Sequence, residues 1–475
     1  MVYKCKVSGA VQLISFRSLP LFEPSSPQPA RQSYIILLAM GSQLLPLQNN
    51  GIYHNLPTFP SSLSSLTAIV TGSNGISGFA TLRVLLDAPS RWEKIYTLSR
   101  KPTPDSMLAL LTPAQRSRIQ HVAIDFLDDP SSIASALKKA NVTADYVFFY
   151  SYLQPPPPPG SNVWSNADEL VKVNSTLFGN FLSALPLAQI KPKRLLLQTG
   201  AKNYGVHLGR ARTPCQETDP LPSHLEPNFY YPQYDLLEKY AAEQKVGYNI
   251  ICPAWIIGST TAAQINALHP FAVYAAVQAH LGLPLKFPSD WDIWQSECKH
   301  STARLTGYLS EWAVLEDSCA NQKYNAQDTS ALSWDRFYEA LAEWYGVKAG
   351  VQGPEDDEGK YMTITGKSGK ETPMGKGPPT THRVSFGFVQ WAQAPENREA
   401  WKAITAASKG SITSDPFEDP VENFSMADAA LMRIPSLSMR KARLGGWTGY
   451  VDSLEGVKEM YWENAKLGLL PGIVG

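Results

Sequence analysis

The chain has 475 residues, 44% hydrophobic and 18% charged, with a formal net charge of +0. That composition supports a large folded core, and the charge balance gives no electrostatic basis for binding nucleic acid or an anionic membrane. No apolar run approaches the roughly 20 residues of a membrane span. Five scattered cysteines (Cys5, Cys215, Cys252, Cys298 and Cys319) form no C-x-x-C pair, so neither a disulfide framework nor a zinc site is expected, and a reducing cytoplasm fits. The histidines show no metal-ligand spacing.

Residues 1–59 read as an N-terminal extension, disordered or the product of an over-long start. Its acid-poor part, 1–39, with Glu23 as the lone acid, also fits a transit peptide. Residues 41–65 read as a Pro/Ser-rich lead-in. The first strand is Ala68-Ile69-Val70, followed by glycines at Gly72, Gly75 and Gly78 and an apolar helix face through Phe79, Leu82 and Leu86. Strand, glycine turn and helix form the phosphate cradle of a dinucleotide fold, where helix N–H groups and the positive dipole end meet the pyrophosphate. The spacing G-x-x-G-x-x-G is similar to that of extended short-chain dehydrogenases.

A second strand, Lys94–Ser99, ends in Ser99-Arg100-Lys101, where basic and hydroxyl groups suit the 2′-phosphate of NADP rather than the free ribose of NAD. A third, His121–Ile124, is closed by Asp125-Phe126, placed to meet adenine. Tyr146–Tyr150 is a fourth. The prolines 155–159 read as a semi-rigid loop at the carboxyl edge of the sheet, with peptide docking as an alternative. A helix over 164–184, a fifth strand Arg194–Gln198, a helix from about 228 to 243 and a sixth strand Tyr248–Cys252 complete an α/β, doubly wound parallel sheet over residues 60–258. Residues 259–475 read as a mainly helical substrate and lid region, with helices at 268–281, 302–320, 387–408 and 454–466 and a flexible insertion near 350–385.

Hydride transfer to or from a carbonyl compound needs a group that stabilises the oxygen. The usual Tyr-x-x-x-Lys pair does not occur. Lys202, at the end of the fifth strand, and Tyr230 or Tyr231, about 25 residues later, are the candidates instead. An ammonium nearby is expected to lower a phenol from its usual pKa of about 10.

Thr199-Gly-x-Lys202-x-Tyr204 followed by Asn228-Phe-Tyr230-Tyr231-x-x-x-Asp235 resembles the paired motifs of the progesterone 5β-reductase/iridoid synthase-like (PRISE) family of atypical extended short-chain dehydrogenases. Pro253-Ala-Trp-Ile-Ile-Gly258 and Trp334 ahead of Trp344-Tyr345-Gly346 agree with it. Residues 437–457 are similar to the fungal branch. Asn203, Tyr234 and Cys252 stand where the family pattern has His, Glu and often Arg.

The resemblance implies NADPH-dependent 1,4-reduction of an enone or enal, with Tyr230 on the enolate oxygen, Lys202 tuning it, and a small apolar carbonyl substrate. It implies cofactor contacts from the turn (Gly72, Ser73, Asn74, Gly75, Ile76, Gly78), from Ser99, Arg100 and Lys101, and from Asp125, Phe126, Thr199, Ala254 and Ile256. A nucleotide-sugar epimerase or dehydratase, or a non-redox NADP-binding protein, are the alternatives. Oligomeric state is open, a homodimer included.

Overall fold

The computed structural model describes residues 46–155, 166–261 and 266–474. The readings of residues 1–39, and of the proline run beyond Pro155, therefore lie outside the described residues.

Strand β1 (Leu47–Asn50) and β2 (Tyr53–Pro57) form an antiparallel hairpin within the stretch expected as extension and lead-in. It is folded because Tyr53 and Leu56 are buried among Trp92 and Leu309, while His54 and Tyr450 exchange backbone hydrogen bonds of 2.8 and 2.9 Å. Its fully buried apolar residues are Tyr53 and Leu56, with Ile52 and Phe59 packed beside them, too scattered to stand out in a Pro/Ser-rich segment.

Next come β3 (Leu66–Thr71), α1 (Ile76–Leu86) and β4 (Trp92–Ser99), the short helices α2 (Asp105–Leu108) and α3 (Pro113–Arg116), then β5 (Ile119–Ala123), α4 (Pro130–Lys139) and β6 (Tyr146–Phe149). They are followed by α5 (Ala167–Leu187), β7 (Arg194–Gln198), α6 (Tyr230–Gln244) and β8 (Gly247–Pro253). The strands are near-continuous apolar runs because both faces of the sheet are covered. One face carries α1, the other α4, α5 and α6.

The C-terminal region adds β9 (Ile256–Ile257), α7 (His269–Leu281), β10 (Leu285–Lys286), α8 (Trp291–Trp294), β11 (Ser301–Thr302), α9 (Ala303–Leu315) and β12 (Gln322–Ala326). Helix α9 packs beside α1 under the sheet. Then α10 (Trp334–Trp344), β13 (Val351–Gln352), β14 (Met362–Thr365), β15 (Thr381–Val384), α11 (Phe388–Gln393) and α12 (Pro395–Ala407) lead to α13 (Pro420–Ala430), α14 (Arg440–Leu444) and α15 (Ser453–Lys466). The helix expected over 387–408 is broken at Ala394, where Pro395 starts a new one.

The main sheet is parallel, in the order β12-β8-β7-β6-β3-β4-β5. Its strand order reverses direction between β3 and β6, and a crevice opens there at the carboxyl ends. Strand β12 was not expected, because Gln322, Lys323 and Asn325 are polar. Asn325 is fully buried yet satisfied: its Nδ2 donates to the carbonyls of Cys215 (3.0 Å) and Ser438 (3.2 Å), and its Oδ1 accepts from the Tyr204 hydroxyl at 2.7 Å.

A separate aromatic core, with Phe271, Phe337, Tyr338, Trp401 and Tyr461, joins the C-terminal helices. Helix α15 returns to the sheet domain. Glu463 pairs with Arg83 of α1 at 2.6 Å, and Ser453 and Thr302 hydroxyls donate to buried Asp328, whose carboxyl burial pushes up to about 6. The stretch 350–385, expected as a flexible insertion, carries the β14–β15 hairpin and runs back over the loop after β7: Met374 N donates to Arg210 O at 2.9 Å and Arg210 Nε to Pro378 O at 2.7 Å.

Candidate active site

A cavity of about 960 Å³ lies above the carboxyl ends of β3, β6, β7 and β8. Its floor is the glycine turn. Gly72 takes φ +64°, and a Cβ there would lie 2.9 Å from the Tyr150 backbone. A Cβ on Gly78 would lie 2.2 Å from Gly72 O, so α1 packs backbone to backbone on the turn. Gly75 differs. It caps α1 with no side-chain hydrogen bond, and its Cβ would meet Gly72 O alone, at 3.4 Å. The N-terminus of α1 thus opens into the cavity without an acidic residue in its first turn, a site for an anion.

The remaining expected cofactor residues collect around it. Asn74, Ile76, Ser99, Arg100, Lys101, Asp125, Phe126, Thr199, Ala254 and Ile256 all line the cavity. Asn74 Nδ2 donates to the carbonyls of Lys101 and Pro102 at 2.9 and 3.2 Å, tying the turn to the basic tip of β4. Asp125 accepts from Leu127 N at 3.0 Å, which fixes its loop. Ser73 is the exception. It is fully buried with its hydroxyl 3.5 Å from Thr103, because φ +64° at Gly72 turns the next side chain beneath the loop. Two buried acceptors, Asn74 Oδ1 and Gln198 Oε1, have no partner among the described residues. The open helix end, these acceptors and the exposed Arg100 and Lys101 fit a nicotinamide dinucleotide.

Tyr230 and Lys202 both reach this cavity, from α6 and from the turn after β7. Asn228 joins the two segments: its Nδ2 donates to Lys202 O at 3.1 Å and its Oδ1 accepts from Tyr230 N at 3.0 Å. Tyr231 does not line the cavity; its hydroxyl donates to Asn203 O at 3.3 Å. Of the two candidate tyrosines, Tyr230 is the one that lines the cavity. Its hydroxyl sits close over Gly200, where a Cβ would lie 2.9 Å away and one of the two would have to shift.

The electrostatics depart from expectation. Burial pushes the Tyr230 phenol well above its ordinary value, and the neighbouring Cys252 and Tyr152 add to this. Burial also pulls the Lys202 ammonium down to about 8, against the opposing pull of Glu226. Desolvation is the largest influence on both groups and favours their neutral forms. Cys252, standing where the resembling family often has arginine, is buried with its thiol pushed up to about 11.

Several cavity residues were not named as site candidates, although Phe229 and Trp255 lie inside the quoted motifs. Tyr152, Phe229, Trp255, Met432 and Ile434 form apolar walls, with the Phe229 ring in tilted contact with Tyr152 (5.5 Å) and Tyr230 (4.5 Å). His207 and Glu226 add a charged corner.

Residues 68–365 match the family described as PRISE-like Rossmann-fold domain. The chain belongs to the PRISE family. As a PRISE protein it is an enzyme of the short-chain dehydrogenase/reductase type. It is similar to the "Short chain dehydrogenase gsfE" of Penicillium aethiopicum, 27% identical over 85% of this chain and 99% of that one. Two plant relatives each cover less of it. They are the "(S)-8-oxocitronellyl enol synthase ISY1" of Nepeta cataria (26% identical, 62% of this chain, 72% of that one) and the "3-oxo-Delta(4,5)-steroid 5-beta-reductase" of Arabidopsis thaliana (26%, 61% and 71%). No helix among the described residues of this PRISE chain is long and apolar enough to cross a membrane.

The two glycines separate folding from binding. Gly78→Ala is expected to destabilise the protein by about 1–3 kcal/mol, since helix and turn must part. Gly75→Val is expected to leave the melting temperature near wild type and abolish nicotinamide dinucleotide binding. Thermal unfolding with and without dinucleotide reads both, and equal losses of stability in the two variants would contradict this division.

Proposed function

We propose that the chain is an NADPH-dependent reductase of activated C=C bonds, directing hydride to the β-carbon of an enone or enal. One observation carries the reading. Tyr230 and Lys202 converge from two different elements on the cavity that holds the glycine turn, in a chain without Tyr-x-x-x-Lys. The names of the plant relatives, an enol synthase and a steroid 5β-reductase, support it. The bound NADPH supplies the hydride. Arg100 and Lys101 hold its 2′-phosphate, and the end of α1 its pyrophosphate.

As the β-carbon gains hydride, the π electrons shift to the carbonyl oxygen, which becomes an enolate. The Tyr230 hydroxyl donates a hydrogen bond to that oxygen. Because burial keeps the phenol protonated, it acts as a donor throughout. Lys202 places a positive charge in the same low-dielectric cavity while it remains protonated. A proton from solvent at the α-carbon completes the saturated carbonyl. The apolar walls around Phe229, Trp255 and Met432 suit a small apolar carbonyl compound, and the thiols of Cys215, Cys252 and Cys319, free and buried, suit a reducing cytoplasm.

Tyr230→Phe is expected to lower kcat by about 10²- to 10³-fold with NADPH affinity retained. In the wild type, turnover requires the Lys202 ammonium, so the rate is full below and declines as pH rises through about 8. Lys202→Met lowers the rate and removes that alkaline decline; a decline that persists in the variant would take the role from Lys202. Separately, Arg100→Ala is expected to weaken NADPH about tenfold more than NADH, read as the ratio of the two kcat/KM values. An unchanged ratio would assign the 2′-phosphate elsewhere.

A further inference from the structure

The reduction makes no use of the charged corner of the cavity. His207 Nε2 lies 3.5 Å from Glu226 Oε1, and both side chains line the wall. From the other side Lys367, between β14 and β15, brings its Nζ to 3.9 Å from Glu226 Oε2. The segment that carries Lys367 is the one pinned to Arg210, so the C-terminal region braces the pair. His207 Nδ1 is buried and has no hydrogen-bond partner among the described residues.

The chemistry of this corner is narrow. A carboxylate facing Nε2 favours the tautomer with its proton there, which leaves a lone pair on Nδ1. Burial, with Lys202 and Lys367 adding to it, pushes the imidazole down to about 3, so the ring is neutral and Nδ1 is an acceptor. A buried acceptor without a donor is costly, and a cavity wall is where a ligand can supply one. Lys202 and Lys367 repel a cationic donor, and Glu226 repels an anion. A neutral hydroxyl can donate to Nδ1 and meets neither repulsion.

We infer that His207, held by Glu226, accepts a hydrogen bond from a hydroxyl group of the substrate, so that the preferred substrates are hydroxylated enones or enals with an otherwise apolar body. This rests on the reductase reading above and narrows its substrate class.

The test compares 2-nonenal with its 4-, 6- and 9-hydroxy derivatives, in wild type, His207→Leu and His207→Gln. Binding of the corresponding saturated hydroxy-aldehydes and of nonanal to the NADP⁺-loaded protein is followed in parallel by tryptophan fluorescence. At least one hydroxylated enal should exceed 2-nonenal in kcat/KM. That ratio should fall roughly tenfold or more in His207→Leu and recover in part in His207→Gln, which restores an acceptor. Melting temperature and NADPH affinity check that the variants fold. Turnover of the enals with no hydroxyl preference, or with a preference that His207→Leu leaves intact, overturns the inference and spares the reductase reading. No turnover, but a preference for a hydroxylated saturated aldehyde that depends on His207, overturns the reductase reading and supports the hydroxyl site. No turnover and no such binding preference overturns both.

Discussion

Backbone meets backbone where α1 rests on the turn after β3, and the rest of the site is measured from that contact. Gly78 allows the helix to approach Gly72 O closer than any Cβ would permit, and Gly72 supplies the positive φ that starts the turn. The approach leaves the amide end of α1 open at Gly75 and drops Ser73 out of the cavity. With the turn fixed at this point, the topology decides what stands opposite. The order of strands reverses between β3 and β6, and the segments after β7 and β8 arrive on the far side of the same crevice.

What arrives there is a protonated phenol and a partly discharged lysine, both desolvated. The expected picture was an ammonium pulling a phenol's pKa down. Burial instead sets both groups, and it favours their neutral forms. For an enolate this is a workable arrangement. A neutral donor fixed in a low-dielectric pocket stabilises developing charge without reorganising, and the lysine charge is available over the lower part of the pH range. The close approach of the Tyr230 hydroxyl to Gly200 belongs to the same packing.

Much of this was legible in the sequence, for physical reasons. Strands such as Arg194–Gln198 are apolar on both faces, and the turn glycines mark positions where a side chain would collide. The Lys202 and Tyr230 motifs were readable as a pair, although only the hydrogen bonding of Asn228 and the turning away of Tyr231 show which tyrosine enters the cavity. Strand β12 was hidden because its polarity is satisfied internally, through Asn325. The hairpin of β1 and β2 was hidden because the apolar residues that dock it are scattered. His207 and Glu226 had no local pattern at all. They meet in the chain after the turn, which a segment more than a hundred residues away contacts at Arg210 and Glu226.

The central claim is the destination of the hydride. Reduction of an enone with NADPH deuterated at the transferable C4 position, followed by NMR of the product, reads it directly. The account predicts deuterium at the β-carbon of a saturated carbonyl compound. Deuterium on the former carbonyl carbon of an allylic alcohol would contradict it.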